Sequence, residues 1–137
     1  MTTGQALLTF QLSAMQHMQH MLSLSDAAAS SHALKSRIRE QTAKLDQLET
    51  QLQILFLQRG WDFSETDPLT KWLASLRFRR RQDSAIAEYL IRLYTDRTVA
   101  LIRQYNQSQP DDGSALNLYQ KFQDFCAVGI GQLQPFL

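Results

Sequence analysis

His17, His20 and Met21 are the residues whose types and spacing come nearest to a metal-binding set in this chain. They fall within Ala14-Met15-Gln16-His17-Met18-Gln19-His20-Met21. On a helix, residues three and four apart are neighbours, so His17 sits near both His20 and Met21. Imidazole combined with a thioether suits copper, above all the cuprous ion. The same residues carry a competing reading. Met15 and Met18 continue an apolar stripe begun by Leu8 and Leu12, which makes them core filler and leaves the histidines flanking the stripe.

A second group is the basic run Arg77-Phe78-Arg79-Arg80-Arg81. Arg77, Arg79, Arg80 and Arg81 could contact phosphates, and Phe78 could stack on a base. The formal net charge is only +1, however, and no pattern of a nucleic-acid-binding fold accompanies the run. Nucleic acid is therefore not the expected partner. A phosphate-bearing protein partner is the alternative that this cluster keeps open.

Carboxylate-bridged metal chemistry is the third possibility. Di-iron sites in helical bundles use Glu-x-x-His pairs on two helices. The four glutamates are Glu40, Glu49, Glu65 and Glu88, and three residues after each stand Ala43, Leu52, Pro68 and Ile91. The three histidines all precede residue 33. Residue type thus argues against a standard di-metal centre. Cys126, the single cysteine, sits among Phe122, Phe125 and Val128 and reads as a small buried residue, not a nucleophile. No cofactor and no catalytic group is expected.

These side chains need helices to position them. Three prolines and five glycines in 137 residues leave long stretches without a breaker. Periodicity predicts a helix over about 5–28, capped by Thr3, with Leu8, Leu12, Met15, Met18 and Leu22 on one stripe. A second is predicted over 32–59, capped by Ser31 and closed by Gly60. Its stripe is Leu34, Ile38, Gln41, Leu45, Leu48, Leu52 and Leu55, stepping by four and three. Asp67-Pro68 predicts a short helix over about 68–76. A third long helix follows over about 83–107, with Ile86, Leu90, Leu93, Arg97 and Leu101 inward. The fourth, over 115–133 and capped by Ser114, carries Leu118, Phe122, Phe125 and Ile130.

The expected fold is therefore all-α: a single four-helix bundle with a long link between its second and third helices. Helices of this length make a bundle roughly 35–40 Å long. Residues 61–82 could cross that distance and make the second and third helices parallel, which is the ferritin-like arrangement. In it Arg97 would need a carboxylate, with Glu49 or Asp46 the nearest by height. Gln41 would fix register between helices. Trp61, Phe63 and Trp72 would staple the link onto the bundle or form an interface.

Ala33-Leu34-Lys35-Ser36-Arg37, then Gln41 and Glu49, then Gln58-Arg59-Gly60-Trp61 resemble the helix pair of the spore coat protein F family. That family closes with Gly-Trp-Tyr. Here Gly60-Trp61 is followed by Asp62, and Phe63 is the nearest aromatic. The resemblance covers about residues 7–63. It implies a ferritin-like bundle, a coat or coat-associated role in an endospore-forming bacterium, and no established chemistry.

The function expected from these residues is non-enzymatic: a structural or assembly protein acting through helix faces on other proteins, coat components or a second copy of itself. The alternatives are a metal-binding or oxidative-stress protein using His17, His20 and Met21, and a regulatory module using the arginine cluster. A lone thiol, no basic-then-apolar leader and no apolar run long enough for a bilayer predict a cytoplasmic protein, or a spore coat one where the organism forms endospores.

Overall fold

The computed structural model describes residues 3–63 and 82–137. Among them are four long helices: α1 (Thr3–Ala28), α2 (His32–Arg59), α3 (Asp83–Ser108) and α4 (Gly113–Leu133), with a final 3-10 turn over Gln134–Phe136. The expected helix at 68–76, Trp72, and Arg77, Arg79, Arg80 and Arg81 lie outside the described residues.

The helices end where their chemistry requires. Ser31 caps α2, its hydroxyl accepting from the Leu34 amide at 3.4 Å. Gly60 closes α2 at φ 68°, a left-handed conformation that costs glycine no Cβ strain. Thr3 is already helical, so it is not the cap of α1. The start of α4 also differs from expectation. Asp112, not Ser114, is its cap, and the helix begins at Gly113. A carboxylate at this position accepts from the amides of Ser114 at 3.0 Å and Ala115 at 3.4 Å, which a hydroxyl two residues later cannot do.

Each helix faces inward along the expected stripe. Leu8, Leu12, Met15, Met18 and Leu22 of α1 meet Leu34, Ile38, Leu45 and Leu52 of α2 in one core with Ile86, Leu90 and Leu101 of α3 and Phe122 of α4. Phe56 takes the core position at the end of α2, while Leu48 and Leu55 are only partly buried. Around the bundle α1 packs on α2 and α3, and α4 packs on α3 and α2. Across the diagonal, Gln11 of α1 donates to the Leu118 carbonyl of α4 at 3.2 Å.

The direction of the helices follows from two end contacts. Asp83, in the first turn of α3, accepts from the backbone amides of Ser30 and Ser31 at 2.8 Å each. The start of α3 therefore sits beside the start of α2, and the two helices run parallel. At the other end Arg59, the last residue of α2, pairs with Asp112 at the start of α4. The chain between α2 and α3 thus joins opposite ends of the bundle.

Candidate functional site

The surface opens along the α2–α4 seam. A groove of about 340 Å³ runs along it, with Leu48, Phe125 and Val128 as its apolar lining. Its deepest polar group is Gln41, which is buried. A buried amide needs partners for both its ends. The Tyr94 hydroxyl donates to Gln41 Oε1 at 2.6 Å. Gln41 Nε2 donates to the Gly129 carbonyl at 3.3 Å and to Gln132 Oε1 at 3.2 Å. One side chain of α2 is thereby tied to α3 and α4, the register role expected of it. Burial pushes the Tyr94 phenol far above its ordinary range, so it remains a neutral donor.

Lys121, Asp124 and Val128 form the α4 wall of this groove. Steps of three and four place them on one exposed stripe. Val128 is 50% exposed. Lys121 Nζ reaches across to Gln51 Oε1 of α2 at 3.3 Å, and Asp124 Oδ1 accepts from Gln120 at 3.1 Å. Both partners are neutral amides, so among the described residues neither charge is met by an opposite one. Periodicity alone does not single out this stripe, because a lysine and an aspartate on an outer face look like any solvated surface.

His17 and His20 lie half-buried along the flank of α1 that borders α3, while Met21 is buried in the core. Burial holds the His17 imidazole below its ordinary pKa, and the positive charges of Arg97 and His20 push the same way. The charge of Arg97 is thus felt at His17 of α1. The expected pairing with Asp46 or Glu49 is not formed: Asp46 accepts from Gln19 of α1 at 2.6 Å, and Glu49 from Gln53 at 3.1 Å. The reason is topological. Helices α2 and α3 are parallel but occupy a diagonal, with α1 and α4 between them. Among the described residues no cluster of three His, Cys, Asp or Glu side chains could hold a metal ion.

Trp61 and Phe63 fold back onto the end of α2. Trp61 meets Phe56 edge-on at 5.3 Å and Phe63 does so at 5.9 Å. The Arg59 guanidinium sits 5.1 Å from the Trp61 ring centre, which adds a cation–π contact to its pairing with Asp112. Cys126 is buried, and burial pushes its thiol up to about 12, so it is not a thiolate at neutral pH. A second groove of about 360 Å³ lies between α3 and α4, lined by Thr95, Val99 and Ile130 among others. Among the described residues no helix is long and apolar enough to cross a membrane.

No family model matches the chain, and no curated protein and no solved structure matches it.

Proposed function

We propose that this chain is a non-enzymatic assembly protein whose α2–α4 face binds the same face of a second copy. The observation that carries the reading is the stripe of Lys121, Asp124 and Val128 beside the groove. A two-fold contact is self-complementary: residue i of one copy meets residue j of the other, and j meets i. Two α4 helices crossing antiparallel place Lys121 of each opposite Asp124 of its mate. Both charges, which among the described residues meet neutral amides, acquire opposite partners. Val128 and the partly buried Leu48 supply apolar area beside the charge pairs.

The resemblance to spore coat protein F supports the same class of role. A spore coat as the assembly rests on that resemblance. A ferritin-like ancestry belongs to the proposal too, and the parallel course of α2 and α3 supports it.

Sedimentation velocity over roughly 1–100 μM tests it, since that range brackets ordinary micromolar association. Self-association is expected for the natural sequence. K121E sets glutamate against aspartate and is expected to weaken association about tenfold or more. The double change K121E with D124K restores the opposition and the affinity. A chain that stays monomeric throughout, or single and double variants that associate equally well, overturns the reading.

A further inference from the structure

On the outer face of α3, Arg92, Asp96, Val99, Arg103 and Asn106 step by four, three, four and three, and all five are exposed. That spacing sets them on one stripe pointing away from the core. Val99, at the middle of the stripe, is 43% exposed, and Ile102 beside it is 42% exposed. Arg92 is already paired with Glu88. Asp96 and Arg103 differ from it: among the described residues neither meets an opposite charge. They stand seven residues apart, about 10 Å along the helix axis, so within one copy they do not meet each other.

The groove of about 360 Å³ between α3 and α4 opens beside this stripe. Thr95, Thr98 and Val99 line it from α3, and Ala127 and Ile130 from α4. The two threonine hydroxyls donate to the carbonyls of Ile91 and Tyr94, each at 2.8 Å. Covering them with an apolar side chain therefore strands no donor. Ile102 comes four residues after Thr98 and seven after Thr95, which puts it on the same flank of α3, toward α4.

We propose that this face is a second two-fold contact, in which α3 crosses α3 of another copy antiparallel. Setting Asp96 of each copy against Arg103 of its mate brings the two Val99 side chains together at the axis. It also sets Ile102 of each copy at a height midway between Thr95 and Val99 of its mate. The axis is perpendicular to both helices, so it keeps both α4 flanks on one side, and Ile102 meets the mate's groove. One register thus pairs both free charges twice and covers Val99 and Ile102 of each copy. A second copy is the occupant, because a face that meets itself needs its acid and its base at matched distances from one apolar centre. Three residues separate Asp96 from Val99, and four separate Val99 from Arg103. The contact centres on α3, on a different side of the bundle from the α2–α4 seam. Where the α2–α4 contact proposed above also forms, each chain has two different two-fold faces and assembly runs past the dimer. That growth rests on both contacts; the α3 contact stands by itself.

Sedimentation velocity of the full chain reads the two contacts apart. The natural sequence is expected to form species heavier than the dimer. K121E opposes only the α2–α4 contact and is expected to leave a dimer held through α3. D96R sets arginine against arginine and, added to K121E, is expected to weaken that dimer about tenfold or more. Exchanging the two charges, D96R with R103D, restores it in the same background. All these positions are exposed, and helicity by circular dichroism is the control for folding. A K121E chain that stays monomeric up to about 100 μM overturns the α3 contact. So does a D96R chain that associates as well as its parent, or a charge exchange that restores nothing. A natural chain that stops at the dimer, unmoved by K121E and broken by D96R, bears out the α3 contact and overturns the α2–α4 reading instead.

Discussion

Gly129 and Tyr94 are in contact so close that a methyl group cannot stand between them. A Cβ built on Gly129 would lie 2.7 Å from Cε2 and 3.1 Å from Cδ2 of Tyr94. The ring is fully buried and its hydroxyl is held by Gln41 at 2.6 Å. It cannot swing aside without abandoning that hydrogen bond. The absent side chain on α4 is thus what admits the tyrosine of α3 to the core.

G129A is therefore expected to destabilise the fold, although alanine is the better helix former. Overpacking costs about 1–3 kcal/mol, against about 1 kcal/mol gained from helix propensity. G131A is the internal control, since nothing lies within 4 Å of its added Cβ. Thermal unfolding should show G129A below the natural chain and G131A level with it or above.

Breaking the Gln41–Tyr94 pair from one side is expected to cost more than removing both partners. Y94F leaves Gln41 Oε1 without its donor, and Q41L strands the phenol without its acceptor. Each orphan buried in the core costs about 1–3 kcal/mol. The double variant should recover part of that loss. A double-mutant cycle in urea would measure the coupling, expected at about 1 kcal/mol or more. Strict additivity of the two changes would show that the bond contributes no specificity.

Asp112 makes stability depend on pH in the acid range. Its hydrogen bond to Arg59, which reaches Oδ1 from Nη2 at 3.0 Å, and the amides of Ser114 and Ala115 hold its carboxyl down to about 2. The folded pKa lies below the unfolded one, near 3.9. Its contribution is then fully present above about pH 4 and is lost as pH falls from there toward about 2. D112N keeps some capping but removes the titration, so its stability should fall less steeply over that window. D112A should cost about 1 kcal/mol at neutral pH through the lost cap. Acid titrations of unfolding for the three chains check both statements.

Local physics made the four helices legible without coordinates. Ser31, Gly60 and the long unbroken stripes act within a few residues of themselves, so the bounds of α2 at His32 and Arg59 follow from neighbours in the chain. The inward faces follow for the same reason, because a 3.6-residue period assigns each side chain to a face before any partner is present. Gln41 stood out as polar among leucines, which marked it as a register device. The partners Tyr94, Gly129 and Gln132 were not legible, since each contact joins residues at least 53 positions apart. Neither was it legible that Arg97 would miss both acids of α2. Height along the bundle suggests Asp46 or Glu49 of α2, but the order of helices around the core sets α2 and α3 on a diagonal, and Asp46 meets Gln19 of α1 instead. Which charges and apolar side chains remain unmet on the surface, as at Lys121, Asp124 and Val128, depends on what every other helix has already covered. Periodicity determines which way a side chain points; only the packed bundle decides what it meets.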